Sequence, residues 1–138
     1  MRNWRQADWC DAAPVTTGRR QRRGARAYLA GQAAEDRVQQ DYERRGYRLA
    51  ARRWRGRSGE VDLIFRGSAA VIFVEVKCAR DFDRALDSLG ARQIARICAA
   101  AEEFVGREPM GSLTDIRFDI GLVDGTGAVR VMENALAA

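Results

Sequence analysis

A chain of 138 residues, 46% apolar and 31% charged, suits one globular domain and excludes a disordered or fibrous polymer. It contains no histidine, which removes serine–histidine–aspartate and cysteine–histidine catalysis, histidine-bound zinc and histidine proton shuttling together. Cys10, Cys78 and Cys98 form no CxxC pair and are odd in number, so neither a disulfide framework nor a cysteine zinc site is indicated. No apolar run approaches the ~18 residues that cross a bilayer. Chemistry is left to carboxylates, one lysine, arginines, hydroxyls or a metal held by oxygen.

The charge is uneven. Residues 1–57 hold 15 basic and 6 acidic side chains, net +9, and residues 58–138 hold 9 and 13, net −4, which together give the +5 of the whole chain. A basic N-terminal half points to a polyanion, nucleic acid before an anionic membrane surface, with a merely solvated helix face as the alternative. Of the 24 basic residues 23 are arginine, and the one lysine is Lys77. Arginine and lysine differ where a compact ammonium must fit a confined site, so Lys77 marks a position where arginine would not serve.

In chain order, residues 1–18 lack periodicity and are expected to form an irregular or flexible arm before a single domain over 19–138. Arg19-Arg20 is followed by no apolar stretch, so a secretion signal is not indicated and the cytoplasm is the expected location. A helix is predicted from Arg22 to Arg45, ending at Gly46. Helical spacing puts Tyr28, Gly31, Glu35, Val38 and Tyr42 within an arc of roughly 80°. Glu35 is then an acid on the inward stripe, either paired with an arginine at the core edge or part of a site.

Strands are predicted over Tyr47–Trp54, Glu60–Phe65 and Val71–Val76, with turns at Gly56-Arg57-Ser58-Gly59 and Arg66-Gly67-Ser68-Ala69. Residues 78–89, with Asp81, Asp83 and Asp87, read as a loop. A second helix follows over Ala91–Val105, with Ile94, Ile97, Cys98, Ala101 and Phe104 or Val105 as its apolar face. Two more strands, Ile116–Val123 and Ala128–Met132, flank the turn Asp124-Gly125-Thr126-Gly127. The expected fold is α/β, in the order α-β-β-β-α-β-β, a mixed central sheet flanked by helices. Val71-Ile72-Phe73-Val74, apolar on both faces, suits a covered central strand.

Strand alternation puts Glu75 and Lys77 on one face, about 7 Å apart. A hairpin centred between Ser68 and Ala69 sets Asp62 opposite Glu75, with Cβ atoms ~5 Å apart. Two carboxylates that close repel unless a positive charge lies between them. A divalent cation such as Mg²⁺ supplies it, taking carboxylate oxygens and keeping waters elsewhere. Lys77 reaches the same spot, where an ammonium orients a metal-bound water and stabilises charge growing on a phosphate. The bland alternative is a cross-strand salt bridge at a sheet edge.

Gly59-Glu60-Val61-Asp62-Leu63-Ile64 followed by Phe73-Val74-Glu75-Val76-Lys77 resembles the YraN-like family of bacterial proteins, in the restriction-endonuclease-like, PD-(D/E)XK, superfamily. The likeness also takes in Gly31 to Tyr47 and Arg117-Phe118-Asp119, and spans roughly residues 24–133. It implies a restriction-endonuclease-like core similar to archaeal Holliday-junction resolvases. Asp62 and Glu75 would be metal ligands, the Val76 carbonyl a further ligand, Lys77 the catalytic lysine, and Glu35 the helix acid that some members add to the site. The family usually has glycine where this chain has Ala34, and a lysine-glutamine pair where it has Arg92-Gln93.

The expected function is Mg²⁺- or Mn²⁺-dependent hydrolysis of DNA phosphodiesters, branched or otherwise structured DNA included. The alternative is a nucleic-acid-binding module that keeps the fold without cutting. Arg19, Arg20, Arg22, Arg23 and Arg26, with Arg92 and Gln93, are the expected nucleic-acid contacts. No membrane association is expected, and resolvase likeness allows a homodimer.

Overall fold

The computed structural model describes residues 17–136, with side chains from residue 30 onward. The elements are α1 (Thr17–Arg44), β1 (Arg48–Arg55), β2 (Glu60–Arg66), β3 (Val71–Cys78), α2 (Phe82–Asp87), α3 (Ala91–Val105), β4 (Ile116–Val123) and β5 (Val129–Met132), with a 3-10 turn at Gly111–Leu113. The five strands form one mixed sheet in the order β1-β2-β3-β4-β5. Neighbours run antiparallel except β3 and β4, which are parallel and joined through α2 and α3. A parallel pair needs such a crossover, and the helices it brings cover the sheet.

α1 starts at Thr17 rather than Arg22, so residues 17 and 18 of the expected arm are helical, while residues 1–16 lie outside the described residues. It ends as expected at Gly46, whose φ of +94° suits a residue without Cβ. There the Tyr47 N–H reaches back to the Tyr42 carbonyl at 3.1 Å, closing the end of the helix.

One element departs from the sequence expectation. The stretch 78–89, expected to be a loop, contains α2, whose N-cap is Asp81. The Asp81 side chain accepts the Arg84 N–H at 2.9 Å, and Ala85 turns inward. An aspartate three residues before that amide is a capping signal; three aspartates among polar residues mask it. The observed order is therefore α-β-β-β-α-α-β-β.

Two apolar layers sandwich the sheet. Ala34, Val38 and Tyr42 of α1 pack on Leu63, Phe65, Ile72, Val74 and Val76. On the opposite face Ile97, Ala100, Ala101 and Val105 of α3, with Ala85 and Leu89, pack on Val61, Ile64, Val71, Phe73, Ile120 and Leu122. β3 is buried over seven of its eight residues, as a strand covered on both sides must be. Among the described residues no helix is long and apolar enough to cross a membrane.

Candidate active site

Among the described residues five polar or charged side chains are buried: Glu35, Asp62, Glu75, Lys77 and Asp119, none more than 4% exposed. Four of the five are the acids and the lysine singled out in the sequence. Burying an ionised group is costly unless partners or a ligand compensate it, so each of the five calls for a physical reason.

Glu75 and Lys77 follow from the pleat of β3. Val71 and Phe73 lie in the layer under α3, so the next odd positions, Glu75 and Lys77, share that face. The parallel register sets Glu75 beside Ile120 and Lys77 beside Leu122, both buried apolar neighbours on β4. Lys77 is 1% exposed. An ammonium there has an apolar floor and no access to bulk water, the confined setting that its singularity in the sequence suggests.

Asp62 arrives differently from expectation. The β2–β3 register is the one inferred from the turn, with Arg66 opposite Val71 and Leu63 opposite Val74, but the ladder ends at that last pair. At the next position the Asp62 carboxylate takes over: its Oδ2 accepts the Val76 N–H at 2.8 Å. Leu63 and Phe65 lie in the layer under α1, yet Val61 joins Ile64 in the layer under α3. Strict alternation would put Val61 with Leu63, so β2 turns over at Asp62. The carboxylate is thereby aimed edgewise at β3, between the strands, and not simply across at Glu75.

Glu35 belongs to the α1 layer and is held by arginines. Its Oε1 accepts the Arg53 Nε–H at 2.8 Å and lies 3.5 Å from Arg52 Nη2. This is the arginine pairing at the core edge that the inward position of an acid foreshadows. Among the described residues no three histidine, cysteine, aspartate or glutamate side chains are grouped as a metal-binding set. β2 and β3 each supply one buried carboxylate, Asp62 and Glu75. A Mg²⁺-like cation is commonly held by one or two carboxylates while keeping several waters, so the residues fit such an ion without Glu35.

α3 closes the same end of the sheet. A Cβ on Gly59 would come within 2.8 Å of the Arg96 carbonyl oxygen, so glycine there lets the β1–β2 turn seat against the helix one turn from its start. Arg92 and Gln93, in the first turn of α3, are respectively exposed and half-buried. Arg19, Arg20, Arg22, Arg23 and Arg26 fall within the backbone of α1, on its N-terminal side of Glu35, but their side chains lie outside the described residues.

The fifth buried charge, Asp119, has a different use. Its carboxylate accepts the Tyr42 hydroxyl at 2.6 Å, the Arg117 Nε and Nη2 groups at 2.9 Å each, and the Asn134 N–H at 3.0 Å. Burial first, and then the bond to Asp119, push the Tyr42 hydroxyl far above its ordinary value of 10.0. The bond to Asp119 likewise raises Arg117, against the effect of its burial. This cluster ties α1, β4 and the segment after β5 together. Sequence reasoning gives Asp119 no structural role; the signal is the Arg-x-Asp spacing, which places both on one face of a strand.

Over residues 34–123 the chain matches the family model described as Uncharacterised protein family UPF0102. It is 62% identical over 113 residues to a UPF0102 protein of Ruegeria pomeroyi, covering 82% of this chain and 92% of that protein. It is 50% identical over 121 residues to a UPF0102 protein of Roseobacter denitrificans, 88% of this chain and 94% of the other. A UPF0102 protein of Cereibacter sphaeroides is 52% identical over 115 residues, 83% and 98% respectively. The chain belongs to the UPF0102 family, the YraN-like group that the motifs resemble.

Proposed function

We propose that this UPF0102 protein is a Mg²⁺- or Mn²⁺-dependent nuclease acting on DNA, with a restriction-endonuclease-like core related to that of Holliday-junction resolvases. The observation that carries the reading is the burial of Asp62, Glu75 and Lys77 together at the adjoining ends of β2 and β3. Two acids and an ammonium in an apolar sheet are costly as scaffolding. They are what phosphodiester hydrolysis requires.

Asp62 and Glu75, with the Val76 carbonyl, would hold the cation, which when bound supplies charge neutralisation at the phosphate and a more acidic water. The Val76 N–H fixes one oxygen of Asp62 and so orients the carboxylate before any ligand arrives. Lys77 orients the attacking water and faces the charge that grows on the phosphate in the transition state. Its apolar surroundings strengthen that interaction, because water does not screen it.

The net charge of +5 favours a polyanionic substrate. α1 extends N-terminal to Glu35 through Arg26, Arg23, Arg22, Arg20 and Arg19, which places the most basic segment of the chain on the N-terminal part of that helix. The test is incubation with supercoiled, single-stranded and four-way-junction DNA over a metal series, with calorimetric titration of Mn²⁺ alongside. Cleavage and Mn²⁺ binding that both vanish in Asp62→Asn support the reading. Equal behaviour of Asp62→Asn and wild type on every substrate would overturn it.

A further inference from the structure

α1 carries different charges on its two flanks. Its inward stripe of Ala34, Val38 and Tyr42 is buried against the sheet. On the flank facing β1, the Gln32 carbonyl, Asp36 and Gln39 all accept hydrogen bonds from Arg52. On the flank facing β5 stand Arg37 and Arg44, which with Gln40, Asp41, Gly127 and Val129 line a pocket of about 200 Å³. At about 100° per residue, Arg19, Arg23 and Arg26 fall with these two within an arc of about 60°. One side of α1 therefore holds five arginine positions, roughly 37 Å from first to last.

The two arginines at the pocket do little for the fold. Arg37 is exposed, and the bond from its Nη1 to the Gly127 carbonyl is long at 3.4 Å. Arg44 is 69% exposed and lies 3.4 Å from Asp41, whose other oxygen is 3.0 Å from Arg45. Exposed pairs of this kind stabilise little, and one carboxylate shared between two arginines leaves the pocket net positive. The opposite wall is fixed by Asp124, which accepts the Thr126 and Ala128 N–H groups at 2.9 and 3.1 Å. That turn ends at Gly127, with φ of +84°. A Cβ there would stand 3.2 Å from Arg37 Cζ, so glycine lets the guanidinium lie against the turn.

We propose that this flank of α1 binds the phosphate backbone of nucleic acid, with Arg37 and Arg44 contacting phosphates at the pocket beside the β4–β5 turn. The proposal rests on the reading that the protein acts on nucleic acid, and it adds a binding surface to that reading. Val129 pairs with Val123, and Val123 lies beside Cys78, so the pocket stands at the Lys77 end of the sheet. It is on the α1 side, whereas Glu75 and Lys77 face α3. The contact is therefore with nucleic acid flanking the scissile phosphate. Guanidinium forks suit phosphate oxygens, and a row of them neutralises backbone charge whatever the base sequence. A lipid surface fits less well, because a helix lying on lipid inserts an apolar face and that of α1 is already buried against the sheet.

The test is fluorescence anisotropy of labelled duplex and four-way-junction DNA in EDTA across a salt series, beside thermal unfolding and co-sedimentation with phosphatidylglycerol vesicles. Arg37→Gln and Arg44→Gln should each shrink the log–log salt slope by about 0.9, and the double variant by about 1.8. Arg37→Lys should keep the wild-type slope, because the charge remains. Melting temperatures should stay within a few degrees of wild type, since both side chains are exposed. Arg48→Gln, at an exposed position on β1, removes the same charge elsewhere and should leave the slope unchanged. A double variant with the wild-type slope overturns the proposal, as does an equal loss in Arg48→Gln, and so does a wild type that binds neither DNA. Vesicle binding lost in the double variant while DNA binding is unchanged would overturn it too, and assign the flank to a lipid surface. Failure of the nuclease reading shows separately: Asp62→Asn cutting like wild type in Mg²⁺ strikes the Asp62 site and leaves the slope measured in chelator untouched.

Discussion

Asp62 closes the β2–β3 ladder with its side chain, the carboxylate Oδ2 accepting the Val76 N–H at 2.8 Å where a backbone carbonyl would otherwise stand. The same side chain is the first acid of the proposed metal pair, so architecture and chemistry share one carboxylate. Substitutions can separate the two uses.

Asp62→Asn keeps an acceptor oxygen for Val76, and its stability should stay within about 1 kcal/mol of wild type. Asp62→Ala leaves a buried amide without its acceptor and should lose about 1–3 kcal/mol. Both should abolish Mn²⁺ binding and cleavage. Denaturant unfolding beside calorimetry checks this; an Asp62→Asn protein that binds Mn²⁺ normally would detach Asp62 from the metal.

The Tyr42–Asp119 bond makes a prediction about stability alone. Tyr42→Phe removes a hydroxyl bonded at 2.6 Å to a buried carboxylate and should cost about 1.5–3 kcal/mol. Asp119→Ala should cost more, about 3–5 kcal/mol, because the half-buried Arg117 loses its two-point partner and keeps only the longer pair with Glu133 at 3.6 Å, while Tyr42 loses its acceptor. Neither should change the metal affinity, since Asp119 faces the α1 layer while Glu75 and Lys77 face the other.

Alkaline pH tests the same bond with its sign fixed. The Tyr42 hydroxyl is raised above its ordinary value of 10.0 by burial and by Asp119, so the folded state keeps a proton that the unfolded chain releases. Its contribution is fully present below pH 10 and falls as pH rises beyond it. Wild type should lose stability above that pH more steeply than Tyr42→Phe, measured by urea midpoints at stepped pH. Parallel curves for the two proteins would contradict the raised value.

What is legible in the sequence has local causes. The turn Arg66-Gly67-Ser68-Ala69 sets the hairpin register, which holds from Arg66–Val71 to Leu63–Val74, and the pleat then fixes which residues share a face with Glu75. A lone lysine among arginines points to a confined site, and Lys77 is 1% exposed. What is not legible depends on contacts far apart in the chain or on backbone that no pattern announces. Nothing near Asp119 reveals Tyr42, 77 positions away. Arg53 has φ of +52°, and arginine is a poor advertisement for a left-handed residue, so no pattern singles it out. The helical stripe places Glu35 inward, but only the kink at Arg53 shows which group meets it.

The arginine run at the start of α1 predicts a graded effect on binding. Replacing Arg22, Arg23 and Arg26 by alanine should weaken binding to all DNA sequences alike, because phosphate contacts carry no base information. The log–log salt slope should shrink by about 0.9 for each phosphate that is no longer neutralised. An unchanged slope would assign the segment to solvent.

Lys77→Arg separates charge from shape. The substitution keeps the positive charge, so DNA affinity should stay within a few-fold of wild type, and Asp62 and Glu75 remain to bind Mn²⁺. Yet Lys77 is buried beside Leu122, and a longer planar guanidinium must push its neighbours aside at about 1–3 kcal/mol of stability. The displaced charge no longer meets the attacking water where the ammonium did, and a shift of ~1 Å in a catalytic group costs on the order of 100-fold in rate. Cleavage should therefore be nearly lost while binding survives, measured as single-turnover cleavage beside anisotropy with wild-type cleavage as the reference. A Lys77→Arg protein that cuts at the wild-type rate would remove Lys77 from the chemistry and leave it one more basic residue in the field of a basic chain.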